Sequence, residues 1–97
     1  MNKQVVLTKL KSRIEEIRQR FSVRNLSIFG SIARDESTDD SDVDVLVVLN
    51  REGSFDLFMD LKLYMEDLLG VKIDLVTDKT LRPQVHRVTE QELIHVV

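Results

Sequence analysis

Two aspartates at the start of an apolar run could carry chemistry, since Asp42 and Asp44 alternate there with Val43 and Val45. Side chains of a β-strand alternate between its two faces, so both carboxylates lie on one face, about 7 Å apart along the chain. Two like charges beside apolar residues are costly unless a cation lies between them. The sequence therefore predicts a divalent metal site at the start of this strand.

The ligand type indicates which metal is bound. Carboxylates without a neighbouring His or Cys suit Mg²⁺ or Mn²⁺ and not zinc. A calcium-binding EF-hand loop beginning at Asp40 is excluded, because Val45 would replace its turn glycine and Arg51 its bidentate glutamate. Mg²⁺ commonly takes one or two protein carboxylates and completes its shell with substrate phosphates. The pair therefore predicts a phosphorylated ligand.

Gly30 and Ser31 stand just upstream, where a predicted strand ends in a turn. Backbone N–H groups and a hydroxyl at a strand-to-helix turn can face phosphate oxygens. A Gly-Ser pair alone usually marks only a turn. Because ten residues separate this pair from Asp42, the two features together predict a phosphate seat beside the metal site.

A third acid, Asp74, lies between Ile73 and Leu75 in a later apolar run. Such apolar neighbours are unusual for an ordinary exposed strand position. If this strand lies beside the first one, Asp74 converges with Asp42 and Asp44 on a two-metal site with a base beside it. The remaining acids of the segment 35–44 are expected to form a solvated loop. They are Asp35, Glu36, Asp39 and Asp40.

Apolar spacing predicts the elements that position these residues. Steps of three and four through the first twenty positions predict a helix over Lys3–Arg20. The residues concerned are Val6, Leu10, Ile14, Ile17 and Phe21. Alternation predicts a strand over Val23–Phe29, followed by a short helix over Ser31–Asp35. The β-branched run Val43–Leu49 predicts an interior strand at the centre of the sheet.

The second half of the chain adds a long helix and a further strand. Ser54 is the predicted N-cap of a helix that runs to Leu69, with Gly70 at its end. This helix is apolar over more than one stripe, so it is buried on several sides or contacts another chain. The remaining elements are a strand over Val71–Thr77, a helix over Leu81–Gln91 and an edge strand within Glu92–Val97. The order predicts an α/β (α+β) fold, a small mixed sheet layered with helices.

Length and composition restrict the class of protein. Residues 1–97 make one domain, since a domain usually takes about 100 to 200 residues. A net charge of −3 argues against stable nucleic-acid binding. The absence of cysteine excludes disulfides and thiolate zinc sites and favours a cytoplasmic location. No stretch approaches the roughly 20 apolar residues that cross a bilayer, so no membrane partner is expected.

The stretch Gly30–Val47 resembles the minimal nucleotidyltransferases of the DNA polymerase β superfamily, the small antitoxin-type members that pair with helical HEPN toxins. It matches the family pattern of Gly-Ser, ten residues and Asp-x-Asp at Gly30–Ser31 and Asp42–Asp44. Further on, Lys72–Val76 looks like the family's third-carboxylate strand. The chain departs from the family at Asp35, where many members have glycine after the arginine. The resemblance implies the polymerase β-like nucleotidyltransferase fold.

The resemblance also implies an activity, which is transfer of AMP from ATP to a hydroxyl group. In such enzymes Gly30 and Ser31 would hold the triphosphate, and Asp42 and Asp44 would bind both Mg²⁺ ions. Asp74 would ligate the catalytic metal and help to deprotonate the acceptor. In antitoxin members the acceptor is a tyrosine hydroxyl of the HEPN toxin, and the modification silences that toxin.

Arg34 and the histidines have two interpretations each. Arg34 either offsets phosphate charge in the nucleotide site or pairs on the surface with Asp35 or Glu36. His86 and His95 have no matching Cys or His and are interpreted as structural or surface residues.

Two other functions compete with this one. A non-catalytic antitoxin would neutralise its partner by covering it, but such a binder has no use for three converging carboxylates. A transferase acting on a small-molecule hydroxyl usually needs a second domain for its acceptor. Because so short a chain leaves little for an acceptor pocket, we expect a folded partner to bring the acceptor. The wide apolar surface of the long helix predicts an interface with that partner or with a second copy.

Overall fold

A computed structural model describes residues 2–38, 41–50, 55–77 and 93–97. Within these ranges, four helices and four strands follow one another in the order α1-α2-β1-α3-β2-α4-β3-β4. The helices are α1 (Lys3–Ser12), α2 (Ile14–Phe21), α3 (Gly30–Ala33) and α4 (Phe55–Leu69). The strands are β1 (Val23–Phe29), β2 (Val43–Leu49), β3 (Ile73–Thr77) and β4 (Ile94–His95). The expectation of an α/β fold with a mixed sheet is confirmed.

The N-terminal helical segment is broken, so the prediction of one helix over Lys3–Arg20 is wrong. Arg13 has φ −118° and ψ 13°, and it separates α1 from α2. The hydroxyl of Ser12 donates to the carbonyl of Lys9 at 2.6 Å, a local bond that competes with the regular helix ladder. The apolar spacing is nevertheless correct on both sides of the break. Val6, Leu10, Ile17 and Phe21 are all buried.

The sheet has the strand order β3-β2-β1-β4. β1 is antiparallel to both β2 and β4, and β2 is parallel to β3. The predicted interior position of β2 is therefore confirmed. β3 begins at Ile73 and not at Val71, and β4 covers two residues of the segment in which an edge strand is expected.

One face of the sheet contributes the core. Along β2, Val43, Val45 and Val47 are at most 3% exposed, and across the antiparallel pair Ile28 faces Val45. Side chains from α1, α2 and α4 join the same buried cluster, which contains Leu10, Ile17 and Leu61 among others. Because strand side chains alternate, Asp44 points to the opposite face. The core thus fixes the face from which the acids project.

α4 packs on β3 and on the two N-terminal helices. Leu61, Met65 and Leu69 are buried, whereas Phe55 is 71% exposed and Leu63 is 53% exposed. Internal burial thus accounts for only part of the wide apolar surface of this helix. Gly70 follows the helix with φ +73°, the left-handed conformation expected of a terminating glycine.

The predicted Ser54 N-cap and the predicted helix over Leu81–Gln91 lie outside the described residues. Within the described ranges, no helix is long and apolar enough to cross a membrane.

Candidate nucleotidyl-transfer site

Asp44 and Asp74 are paired positions of the parallel strands β2 and β3. Their neighbours Val43, Ile73 and Leu75 are buried in the core, so both carboxylates project from the opposite face. Asp44 is half-buried and Asp74 is exposed. The register of the parallel pair therefore places Asp44 and Asp74 side by side, as their predicted convergence requires.

The surroundings of Asp44 disfavour its charged form. Burial raises the pKa of this carboxyl, and the nearby charges of Asp74 and Asp42 raise it further, to about 6. The charge of Arg34 acts in the opposite direction. A carboxyl group whose ionisation is opposed by burial and by two other acids is a position where a cation would be stabilised.

Asp42 precedes β2 and is exposed. Within the described parts of the chain, no three acidic, imidazole or thiol side chains are grouped as a complete metal-binding set. Two hard carboxylates side by side nevertheless suit Mg²⁺ or Mn²⁺, because these ions commonly take one or two protein carboxylates and fill the other positions with phosphate oxygens and water. Asp44 and Asp74 provide such a pair, with Asp42 close enough to act on the charge of Asp44.

Gly30 brings the turn after β1 against these acids. Its φ of +73° is a conformation that L side chains rarely adopt. A Cβ atom at this position would lie 3.1 Å from Cγ of Asp44 and would collide with Oδ2 of that residue. Phe29, the preceding residue, pairs with Asp44 in the antiparallel register. Glycine is thus required at position 30 both for its backbone conformation and for the close approach to Asp44.

Ser31 and Arg34 lie in and just after the short helix α3. Ser31 is half-buried, and its carbonyl accepts a hydrogen bond from the Glu36 amide at 2.9 Å. The Arg34 side chain donates from Nε to the Glu36 carboxylate at 3.0 Å. The surface pairing expected as one of two roles for Arg34 is therefore present. The same side chain also lowers the pKa of Asp44, so it acts on the electrostatics of the site.

Asp35 has an unexpected role for a residue of a solvated acidic loop. Its φ is +58°, the left-handed region that glycine favours and aspartate tolerates. The Asp35 carboxylate accepts from the backbone N–H of Lys3 at 3.4 Å and lies 3.5 Å from the Lys3 ammonium. The position at which the family resemblance implies glycine thus keeps a glycine-like conformation. Asp39 and Asp40, the other acids of the expected loop, lie outside the described residues.

Glu66 is a residue near the site that the sequence analysis missed. Its Oε2 accepts from the Ile73 backbone N–H at 3.0 Å and from Lys62 Nζ at 3.2 Å. The Ile73 bond and the Lys62 bond together lower the pKa of Glu66. The sequence places Glu66 in the last turn of a predicted helix, shortly before Gly70 and the strand of Asp74, but this position does not reveal its backbone partner.

His95 is exposed, as a surface interpretation requires, and its Nδ1 lies 2.9 Å from the hydroxyl of Ser27. Ser27 is 3% exposed and is a buried polar residue of β1. His95 therefore satisfies a buried hydroxyl. His86 lies outside the described residues.

A small mixed sheet with paired acids on β2 and β3, and a glycine turn packed against one of them, is the arrangement that the sequence leads us to expect of a nucleotidyltransferase. The chain belongs to the nucleotidyltransferase domain family, whose model matches residues 10–96. It is 39% identical over 82 residues to the protein adenylyltransferase MntA of Thermococcus cleftensis. The aligned region covers 84% of this chain and 83% of that protein. The family assignment identifies the chain as a nucleotidyltransferase.

Solved structures give the same fold. One, provisionally described as a minimal nucleotidyltransferase, has a TM-score of 0.82 and 31% identity, covering 97% of this chain and 95% of that one. Another comes from a complex of tri-AMPylated Shewanella oneidensis HEPN toxin with an MNT antitoxin. Its TM-score is 0.67 with 13% identity, over 98% of this chain and 71% of that one, a likeness of fold alone. The resemblance to minimal nucleotidyltransferases is thus confirmed.

Proposed function

We propose that this nucleotidyltransferase transfers AMP from ATP to a tyrosine hydroxyl of a HEPN-family toxin and thereby acts as its antitoxin. The observation that carries the proposal is that Gly30 contacts Asp44, and Asp44 stands opposite Asp74, where β1 ends and β2 and β3 begin. The Thermococcus relative, named a protein adenylyltransferase, supports AMP as the transferred group. The AMPylated toxin in the Shewanella complex supports a HEPN protein as acceptor.

The residues of the site have distinct roles in this reaction. The Gly30 turn and the Ser31 hydroxyl bind the triphosphate of ATP beside Asp44. Asp42, Asp44 and Asp74 would hold Mg²⁺ or Mn²⁺, which neutralises the charge that develops on the phosphates. Arg34 contributes positive charge near Asp44 while its Nε donates to the Glu36 carboxylate. These roles require little of the protein beyond positioning and electrostatics.

The group transfer is an in-line displacement at the α-phosphorus. Asp74 accepts the proton of the acceptor hydroxyl, and the oxygen of that hydroxyl forms a bond to the α-phosphorus. The bond between the α-phosphorus and the oxygen bridging to the β-phosphate breaks, and pyrophosphate leaves with that electron pair. An exposed Asp74 suits this role, because a hydroxyl carried by a folded partner can reach it from solvent.

Labelling of a partner tests the proposal. The chain is incubated with its candidate HEPN partner, Mg²⁺ and ATP labelled at the α-phosphate, and the partner is analysed by intact mass and peptide mapping. We expect one or more AMP groups on a partner tyrosine, and none when that tyrosine is replaced by phenylalanine. Asp44→Asn should abolish labelling, whereas Glu15→Gln, at an exposed position of α2, should not change it.

Two results would contradict the proposal. A tight complex that protects cells but carries no AMP would make the chain a non-catalytic antitoxin. Efficient labelling of a small-molecule hydroxyl by the isolated chain, with none on the partner, would make it a small-molecule transferase.

A further inference from the structure

Glu66 binds the backbone at the point where β3 begins. Among the described strands, β3 pairs with β2 alone, and the Val43 amide donates to the Lys72 carbonyl at 3.0 Å across that pair. In a trans peptide, the carbonyl of one residue and the amide of the next point in opposite directions. The Ile73 N–H therefore points away from β2, and it donates a hydrogen bond to the Glu66 carboxylate at 3.0 Å.

The carboxylate is itself held in place. Lys62, one helical turn earlier on α4, donates to the same oxygen at 3.2 Å, and the Glu66 side chain is only 21% exposed. The chain turns between the helix and the strand at Gly70, whose amide donates to the Glu66 carbonyl at 2.7 Å. Backbone and side chain of Glu66 thus connect the end of α4 to the first residue of β3.

The residue after Ile73 is Asp74, which stands opposite Asp44. Two carboxylates held on neighbouring strands repel each other, and β3, the outermost of the described strands on its side, can relieve that repulsion by moving outward. Ile73 and Leu75 are buried and keep β3 on the core whether or not Glu66 is present. What the Glu66 bond adds is resistance to displacement of the first residues of the strand, among them Asp74.

We infer that Glu66 is a positioning residue for nucleotidyl transfer, holding Asp74 opposite Asp44 without touching the substrate. The inference rests on the proposed function, in which Asp74 receives the proton of the acceptor. It predicts that loss of the Glu66 carboxylate slows the chemical step and leaves binding of ATP nearly unchanged. Binding depends on the Gly30 turn, at the other side of β2 from β3.

Three variants separate this role from a general effect on stability. Glu66→Ala removes the acceptor of the Ile73 N–H, Glu66→Gln keeps an oxygen that can accept it, and Lys62→Met removes only the second donor. Backbone amide exchange of Ile73 and single-turnover AMP transfer are measured on each, well below the melting temperature of the least stable variant. Nuclear magnetic resonance reads the exchange in metal-free protein, so this readout does not depend on activity.

We expect Glu66→Ala to make exchange of the Ile73 amide about tenfold faster and AMP transfer about tenfold slower. A change of this size corresponds to one lost hydrogen bond to a charged group. The KM for ATP should change less than about threefold. Glu66→Gln should recover most of both quantities, and Lys62→Met should resemble the parent. In an Asp74→Asn background, Glu66→Ala should cost no further activity, because the residue that it positions is already disabled.

A folded Glu66→Ala variant with the parental transfer rate would overturn the inference. So would an equal further loss of rate in the Asp74→Asn background, because Glu66 would then act through some other residue. If the parent itself transfers no AMP, the proposed function fails. Unchanged exchange at Ile73 in Glu66→Ala would instead show that the hydrogen bond does not restrain β3, whatever the activity.

Discussion

Gly30 lies against the carboxylate of Asp44, so closely that no side chain fits between them. Gly30 directly follows β1 as the first residue of α3, Asp44 lies in β2, and their contact places the turn after β1 against the acids. Position 30 needs glycine for its left-handed backbone and for the close approach to Asp44, and these two requirements can be separated by experiment.

Gly30→Ala should remove activity and lower stability. The new Cβ meets Asp44 Oδ2, and the left-handed backbone adds about 1 kcal/mol of strain. Gly70→Ala is a matched control, because Gly70 has the same φ of +73° but open space around its Cβ position. We expect both variants to lose stability by urea denaturation, and only Gly30→Ala to lose AMP transfer. Full activity in Gly30→Ala would argue against the tight turn as the phosphate seat.

Asp44→Asn should separate stability from activity in a different way. The substitution is nearly isosteric and removes one of three neighbouring negative charges, so metal-free protein should be as stable as the parent or more stable, by about 1 kcal/mol. Transfer should fall by orders of magnitude, because an amide is a poor ligand for Mg²⁺. Thermal melts with and without Mg-ATP measure both effects, and Mg-ATP should raise the melting temperature of the parent only. Clear destabilisation of metal-free Asp44→Asn would identify Asp44 as a structural residue.

The pH dependence of stability follows from the same carboxyl. The pKa of Asp44 is raised from 3.8 to about 6 in the folded protein, so the folded state binds this proton more tightly than the unfolded chain. The contribution of Asp44 to stability is therefore fully present below pH 3.8 and is lost as the pH rises through 6. Because the group is half exposed, we expect about 1 kcal/mol after allowance for solvent screening.

The measurement compares the parent with Asp44→Asn in metal-free urea titrations at pH 4.5 and pH 7.5. The difference in free energy of unfolding between the two proteins should favour the parent more at the lower pH, because only the parent gains by binding the proton. A difference that is flat or changes in the opposite direction would show that Asp44 does not titrate as its surroundings indicate.

The sequence predicted the parts of this protein that depend on side-chain alternation. The alternation of acids and valines from Asp42 to Val45 determines which face the carboxylates occupy, and the β-branched run around Val47 determines that β2 is interior. The break at Arg13 was not predictable from apolar spacing, because Ile14 continues the helical period across it. Glu66 was missed for a related reason: its partner is a backbone amide, and side-chain patterns do not reveal which N–H groups a strand leaves unpaired.

Asp35 has a left-handed backbone at the position where the family resemblance implies glycine. Asp35→Gly removes the left-handed strain but also the contacts to Lys3, so the two effects should nearly cancel, with stability within about 1 kcal/mol of the parent. Asp35→Ala keeps the strain and loses the contacts, and it should be destabilised by about 1 to 2 kcal/mol. Urea denaturation of the three proteins tests this order. An Asp35→Ala variant as stable as Asp35→Gly would mean that the backbone relaxes out of the left-handed region.

The exposed side of α4 should form an interface with the partner protein. Leu63 is 53% exposed on a helix whose inner face already buries Leu61 and Met65, so the fold itself does not need an apolar residue there. Leu63→Glu should therefore leave the melting temperature of the isolated chain nearly unchanged and weaken the complex by about tenfold or more, since a charge would be buried in the interface. Val5→Glu, at a 39% exposed position of α1, is the matched control for adding an acid at an exposed apolar position. Light scattering of each variant, alone and with the partner, distinguishes a hetero-complex from a dimer of this chain. If Leu63→Glu binds the partner as the parent does and the isolated parent is a monomer, this side of α4 is not an interface.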